Sequence, residues 1–168
     1  ALGQGRLQTE ADYALPKGLK LRDEASRAFQ IASAQWRTFS GLLERADFNP
    51  QRASTQFISE LLRDTLAYPA VIAVSGVQIG DRTYPITHLA QAAPAAQAAG
   101  AKPVGIVIAP HNQGLDDPDP RFAVRGSGAK RKSPFQLAQE FLNASPAHEW
   151  ALVSNGRTLR LLRDAATL

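Results

Sequence analysis

The charged side chains that could bind a ligand concentrate in one segment of the chain, residues 111–132. The second half of this segment carries five cations and no acid: Arg121, Arg125, Lys130, Arg131 and Lys132. Such a set can neutralise several phosphates of a nucleic acid, and Gly126 and Gly128 let the loop shape itself on a backbone. The alternative is a solvated loop without a ligand, because runs of charge often serve only to keep a chain in water.

The first half of the same segment offers a second chemistry, a metal site built from His111 and the aspartates at 116, 117 and 119. Turn formation is the ordinary role of such a loop. No histidine of the chain has the spacing to another His or to a Cys that a metal site shows. His88 comes at the end of a predicted strand, where a hydrogen-bonded structural role is expected. We therefore predict no metal ligands.

The sequence contains no motif for covalent catalysis and no glycine-rich loop of the kind that binds nucleotide phosphates. The chain has no Cys. Gly126-Ser127-Gly128 lacks the strand before it and the helix after it that a phosphate-binding loop requires. Ser75-Gly76 lacks the flanking glycines of a nucleophile elbow.

The composition is that of an ordinary globular domain with a basic balance. The chain has 168 residues, 44% of them hydrophobic and 20% charged, and a net charge of +4. No apolar run is long enough to span a membrane, so we expect no membrane partner. The absence of Cys fits a reducing compartment and predicts a cytoplasmic location. Because Met is also absent and no signal peptide is evident, we expect a piece of a longer protein.

Hydrophobic periodicity predicts the elements that must position these groups. Helices are expected at 21–46, 54–67 and 133–143, the first with an apolar stripe through Trp36 and Phe39. Strands are expected at 70–74, 77–79, 82–89, 104–109, 149–154 and 158–163. Gly80-Asp81 and Asn155-Gly156 favour two-residue hairpin turns, the latter of type I′. Residues 90–101 suit either a short helix or a loop.

This order of elements predicts an α/β or α+β fold, a sheet with helices on its faces. Val104 to Ala109 is apolar on both faces, which is typical of a central, fully covered strand. Two regions are expected, an N-terminal arm with a long helix over residues 1–50 and an α/β domain over residues 51–168.

A resemblance to a known family rests on residues 133–164. Ser133-Pro134-Phe135-Gln136-Leu137 and the stretch Ser154-Asn155-Gly156-Arg157-Thr158-Leu159-Arg160-Leu161-Leu162-Arg163-Asp164 are similar to the N-terminal region of type II (type IIG-like) restriction-modification DNA methylases. Residues 82–89, Asp12-Tyr13 with Pro16, and the helix with Trp36 also resemble that region.

The resemblance implies a central mixed sheet flanked by helices, like that of PD-(D/E)xK restriction nucleases, in the order helix, three strands, helix, strand. It implies an intact protein, active in phage defence, that transfers a methyl group from S-adenosylmethionine to a DNA adenine. Double-stranded DNA and the remaining domains of the same polypeptide would be the partners. No cofactor is expected in these residues, since the family's cofactor and catalytic motifs do not occur in them.

The family's nuclease site is degenerate in this sequence. Pro85-Ile86 stands where the family has Pro-Asp, and residues 104–109 contain no acid and no lysine, although Mg²⁺ requires oxygen ligands. Glu60 and Asp81 are catalytic candidates only if nuclease activity survives. We therefore expect a DNA-contacting or docking domain that does not cut. The residues expected to contact DNA are Arg125, Lys130, Arg131, Lys132 and Arg157. A surviving Mg²⁺-dependent nuclease and a purely structural domain are the alternatives.

Overall fold

The computed structural model describes residues 9–13, 15–128 and 130–164 of the chain. The helices are α1 (Leu21–Leu43), α2 (Pro50–Glu60), α3 (Pro94–Ala98) and α4 (Pro134–Ala144). The strands are β1 (Ala70–Ala73), β2 (Val77–Ile79), β3 (Arg82–Tyr84), β4 (His88–Gln91), β5 (Val104–Ile108), β6 (Trp150–Ser154) and β7 (Leu159–Arg163). Within those ranges, no helix combines the length and the apolar composition that crossing a membrane requires.

Strand β5 occupies the middle of a five-stranded mixed sheet, as its apolar sequence predicted. The strand order is β1-β4-β5-β6-β7. Strand β4 pairs with β5 in the antiparallel sense, and β6 pairs with β5 in the parallel sense. A parallel pair needs a long crossover connection, and α4 lies in that connection. The predicted mixed α/β class, with a long N-terminal helix, is confirmed.

The two faces of β5 belong to two separate hydrophobic clusters. Ile106 and Ile108 pack on one face with residues of α1 and α2. Val107, and Ala109 just after the strand, pack on the other side with residues of α4. All four side chains are fully buried. The sheet is therefore covered by helices on both sides, which is the physical reason for a strand without polar positions.

Helix α4 begins where the sequence predicted. The Ser133 hydroxyl accepts a hydrogen bond from the Gln136 backbone N–H at 3.1 Å, and the Gln136 side chain accepts one from the Ser133 N–H at 3.1 Å. Pro134 occupies the first turn. This reciprocal capping box satisfies two N–H groups that the helix start otherwise leaves unpaired.

Helix α2 begins at Pro50 and not at the predicted Ser54. Asn49 caps it, since its side-chain oxygen accepts a hydrogen bond from the Arg52 N–H at 3.0 Å. Pro50 is tolerated at this position because a proline in the first turn loses only an N–H that has no helical partner there. The helix continues through a π-helical turn, Leu61–Thr65.

Helix α1 matches the predicted long helix, but most of its apolar stripe is not buried. Phe39 is the buried residue of α1, and its ring stacks on Phe57 with centroids 4.6 Å apart. Trp36 remains 43% exposed and Phe29 remains 74% exposed. The C-terminal half of α1 thus carries most of the packing against α2, and an aromatic surface is left open.

The predicted strand at residues 82–89 is two strands in different sheets. Strand β3 ends at Tyr84 and pairs with β2 in a small hairpin whose two-residue Gly80-Asp81 turn is confirmed. Strand β4 begins at His88 and joins the main sheet. Pro85 separates the two strands because it has no N–H to donate to a sheet, so the ladder stops there.

The last hairpin is confirmed, but its predicted two-residue type I′ turn is wrong. Ser154 pairs with Leu159, which leaves a four-residue loop, 155–158. Asn155 keeps a negative φ, and Gly156 takes a φ of +86°. The Asn155 side-chain oxygen accepts hydrogen bonds from the backbone N–H groups of Arg157 and Thr158 at 3.0 and 2.9 Å. This side chain organises the loop in place of a tight turn.

Candidate nucleic-acid interface

The segment from residue 111 to residue 132, called the basic segment below, has almost no regular secondary structure but is anchored in the core. Leu115, Phe122 and Val124 are buried in the α4-side cluster. Thr83 and Arg125 exchange two backbone hydrogen bonds, of 3.1 and 3.0 Å. These contacts hold the backbone in one course, because a loop that buries apolar side chains has few ways to rearrange without exposing them.

A second clamp lies at the base of the segment. The Asp119 N–H donates to the Lys132 carbonyl at 3.0 Å, and the reverse bond measures 3.4 Å. Gly126 passes close to the β2–β3 turn, with a φ of +86° and a Cβ position only 2.9 Å from the Asp81 carbonyl oxygen. A residue with a side chain would clash there, so glycine is required where the basic segment crosses the hairpin.

Three of the predicted DNA-contacting residues project into solvent from this anchored segment. Arg125, Lys130 and Arg131 are exposed. Arg131 donates to the Pro118 carbonyl at 3.3 Å. Within the described part of the chain, none of the three forms an ion pair. They form a cationic surface on a fixed backbone.

Lys132, the fourth predicted contact in this segment, has a different environment. Its ammonium group pairs with Glu140 of α4 at 2.5 Å, and its side chain is only 20% exposed. Arg82 lies 3.7 Å from the other oxygen of the same carboxylate. Lys132 therefore binds the basic segment to α4, and its charge is largely neutralised inside the protein.

Arg157 extends from the loop after β6. Gln113 connects this loop to the basic segment. The Asn155 side-chain amide donates to the Gln113 carbonyl at 2.8 Å. The Gln113 side-chain oxygen accepts from the Arg121 guanidinium at 2.6 Å. Gln113 therefore ties the loop that carries Arg157 to the segment that carries the other cations.

Arg121 was not among the predicted contacts, yet it lies at the centre of the surface. Its guanidinium makes two bonds to Asp119, of 2.9 and 3.0 Å, besides the bond to Gln113. This pairing lowers the pKa of Asp119 to about 2. The i, i+2 spacing of Asp119 and Arg121 around Pro120 was the only sequence signal for this brace.

Two of the cations, Arg121 and Arg125, border two adjoining cavities. One, of about 430 Å³, is lined by Pro85, Pro120, Arg121, Ala123, Val124, Arg125, Gly126 and Gly128. The other, of about 250 Å³, is lined by Gln51, Val74, Ser75, Pro85, Ile86, Thr87, Ile108, Arg121 and Phe122. Because Pro85 and Arg121 line both cavities, we treat them as one groove, the basic groove, which begins beside Arg125 and ends at the C-terminal end of β5.

The three aspartates of the segment bind neighbours and do not converge. Asp116 accepts two bonds of 2.6 Å from Arg160. Asp117 accepts from the Gly114 N–H at 3.1 Å, and Asp119 holds Arg121. Across residues 9–13, 15–128 and 130–164, no three His, Asp or Glu side chains are grouped as a metal ion would require. The ordinary turn and ion-pair roles account for these aspartates.

The structure does not bring the two conditional catalytic residues together. Glu60 lies at the end of α2, where its carboxylate accepts from the Gln56 amide at 3.1 Å. Asp81 lies at the tip of the β2–β3 hairpin, whose Val77 and Ile79 pack against the α4-side cluster. The two carboxylates therefore stand on opposite sides of the sheet.

The other arginines of the last strand are occupied by ion pairs. Arg160 pairs with Asp116 and lies 5.0 Å from the Phe135 ring centroid. Arg163 pairs with Glu149 at 2.9 Å and lies over Trp150. These contacts indicate that both arginines cover the edge of the sheet.

The three histidines are buried in the folded chain. We therefore predict that the folded chain becomes less stable in acid. Burial lowers the pKa of His88, His111 and His148 from the ordinary 6.5. His148 bonds Ser145 through Nδ1 at 2.7 Å, and among the described residues its buried Nε2 has no partner. The unfolded chain therefore binds protons more readily than the folded chain below pH 6.5.

We expect the free energy of unfolding to be constant above pH 6.5. It should fall as the pH drops through the pKa values of the histidines in the folded chain, which lie below 6.5. Urea unfolding at about pH 7.5, 6.5 and 5.5 measures this, in a window above the titration of the carboxylates. His148→Gln keeps a partner for Ser145 without a titrating group, so its stability should depend less on pH. Equal stability of the original chain at all three values would refute the prediction.

Comparison of this chain with protein-family models, with curated proteins and with solved structures finds no match in any of the three.

Proposed function

We propose that this chain is a duplex-DNA-contacting, non-cleaving domain of a restriction-modification DNA methylase. The observation that carries the proposal is the basic groove, where exposed cations stand on a backbone held by core contacts. In the intact protein, other segments would transfer the methyl group from S-adenosylmethionine to a DNA adenine. The methylase part of the proposal rests on the resemblance of residues 133–164.

The cations of the groove and of the segments joined to it support a phosphate partner. Arg125, Lys130, Arg131 and Arg157 are exposed, and in the part of the chain that the structure describes none of them forms a close ion pair, although Arg131 contributes to the lowered pKa of Asp119. Their preorganised backbone reduces the entropy lost when they engage a polyanion. A merely solvating run of charge would need neither the buried anchors nor the two backbone clamps.

The arrangement of elements is compatible with a nuclease-like core. Helix α2, the sheet strands β1, β4 and β5, helix α4 and strand β6 follow one another as the resemblance implies. The second cavity of the groove lies where β4 begins and β5 ends. The side chains of β5 are Val, Ile and Gly, which provide no oxygen ligand for Mg²⁺. These features favour binding without cleavage.

The proposal predicts salt-dependent binding to duplex DNA. A fluorescently labelled duplex of mixed sequence should bind at about 50 mM salt, and four phosphate contacts should give a log–log salt slope between about −3 and −4. Anisotropy titrations at several salt concentrations provide the measurement. No binding at low salt would reject DNA contact and leave the purely structural alternative.

The same preparation tests the nuclease alternative. Incubated with supercoiled plasmid and Mg²⁺, the chain should leave the plasmid intact. Metal-dependent cleavage that is lost in the Glu60→Gln and Asp81→Asn variants would show a surviving nuclease. That outcome would contradict the non-cleaving part of the proposal while leaving DNA contact in place.

A further inference from the structure

The outward face of α1 carries a stripe that has no partner in the fold described above. The stripe consists of Arg22, Ser26, Phe29, Ser33, Arg37 and Ser40 of α1 and of Glu44, the residue that caps the end of the helix, spaced by steps of four and three. Such steps place side chains on one side of a helix. Each of these residues is exposed or half-buried. The stripe is distinct from the basic groove, because none of its residues lines either cavity of that groove.

Apolar surface accompanies the stripe. A trough of about 540 Å³ runs beside it and is lined by Phe29, Ala32, Ser33, Trp36, Arg37, Phe57 and Leu61. Phe29 is 74% exposed, although it is one of the largest side chains of α1. Contiguous exposed aromatic surface of this kind marks an interaction site in soluble proteins.

The stripe is symmetric about Ser33, which identifies what could cover it. Moving outward from Ser33, the pairs are Phe29 with Arg37, Ser26 with Ser40, and Arg22 with Glu44. When two α1 helices cross antiparallel at Ser33, each member of a pair meets the other member on the second copy. A serine at the crossing point allows the helices to approach closely, because helix separation depends on the side chains at the contact.

The charges select the antiparallel arrangement. Arg22 and Glu44 form no ion pair within the described residues and remain exposed, so each is free to pair with the other on a second copy. Arg37 would meet the face of Phe29, a favourable cation–π contact. A parallel pair would instead place Arg22 against Arg22 and Arg37 against Arg37, which is repulsive.

We propose that two copies of this chain form a twofold homodimer through antiparallel pairing of their α1 stripes. The 23 residues of α1 span about 34 Å at 1.5 Å per residue, and Phe29 and Trp36 supply the buried aromatic centre that a specific interface needs. The proposal goes beyond DNA contact and does not depend on it, since the groove residues take no part in the interface.

Sedimentation equilibrium of the full chain, from low to high micromolar concentration, tests the dimer. The chain should dimerise reversibly. Arg22→Glu and Glu44→Arg should each weaken dimerisation roughly tenfold or more, because each places like charges together. The double variant R22E/E44R restores opposite charges in the opposite order and should recover the original dissociation constant. Phe29→Ser should leave the chain monomeric.

Ala34→Lys is the matched control, an exposed site on α1 away from the stripe, and it should dimerise like the original chain. Circular dichroism establishes that every variant folds, which is expected because all the changed side chains are exposed. A monomer at all concentrations, a double variant that fails to recover, or an equal effect of Ala34→Lys would each overturn the proposal.

Discussion

Replacing Arg125, Lys130 and Arg131 together by alanine is expected to weaken duplex-DNA binding on the order of 100-fold at about 50 mM salt. The three side chains are exposed and form no close ion pair among the described residues, so their loss removes phosphate contacts and breaks one internal bond, that of Arg131 to the Pro118 carbonyl. Since each contact releases counterions, the magnitude of the salt slope should also fall by about 2.7. Anisotropy titrations of the variant across a salt series measure both quantities.

A matched variant separates the groove from general charge. Lys17→Ala, Arg45→Ala and Arg63→Ala together remove the same charge from exposed positions outside the groove. This variant should keep the salt slope and nearly all the affinity. If both triple variants lost affinity equally, binding would follow net charge, and the groove would not be the DNA site.

Lys132→Ala should lower the free energy of unfolding rather than remove a phosphate contact, because Lys132 is paired with Glu140.

Phe141→Ala is expected to lower the free energy of unfolding by about 3–5 kcal/mol, the cost of emptying a large buried aromatic site. Phe141 is fully buried on α4 and contacts Tyr84 and His148, with ring centroids 6.0 and 4.7 Å away. Its ring also lies directly against Gly105 of β5. Urea unfolding at neutral pH measures the loss. Leu161→Ala on the edge strand, at a site 58% exposed, should cost far less.

Gly105 makes this test specific for the contact between α4 and β5. A Cβ at Gly105 would lie 2.5 Å from the Phe141 ring, so Gly105→Ala alone should destabilise by about 1–3 kcal/mol through overpacking. In the double variant the new methyl group enters the space that the ring has left. The combined loss should therefore be smaller than the sum of the single losses by roughly 1 kcal/mol or more. Additive losses would contradict the packing described for this site.

Features of the fold that depend on neighbouring residues were predicted correctly from the sequence. The helix start at residue 133, the Gly80-Asp81 turn and the apolar strand at 104–109 were all predicted, because helix-start residues, turn chemistry and two-sided burial are encoded in adjacent residues. The start of α2 at Asn49-Pro50, four residues before the predicted start, was missed for a related reason. The same dipeptide starts a helix or ends one, and only the residues that follow it in space decide between the two.

The candidate interface was only partly predictable. A cluster of cations was visible at 121–132, but the sequence shows no difference between a free lysine and one that is neutralised. Lys132 pairs with Glu140, eight residues away on another element, while Lys130 remains exposed. Arg157 joins the region through Asn155 and Gln113, which are 42 positions apart in the chain. Side-chain pairing across such separations depends on the packing of the whole domain.

By itself the sequence determined the class of the fold, the central position of β5, the start of α4 and the excess of cations after residue 120. It also determined that β5 carries no metal ligand. Only the tertiary structure decided that Leu115, Phe122 and Val124 enter the core and hold the basic segment in one course. It alone placed Glu60 and Asp81 on opposite sides of the sheet. It also left the outward stripe of α1, from Arg22 to Glu44, without a partner in the fold. Periodicity and capping act within a few residues, whereas burial and ion pairing are settled by which distant surfaces meet.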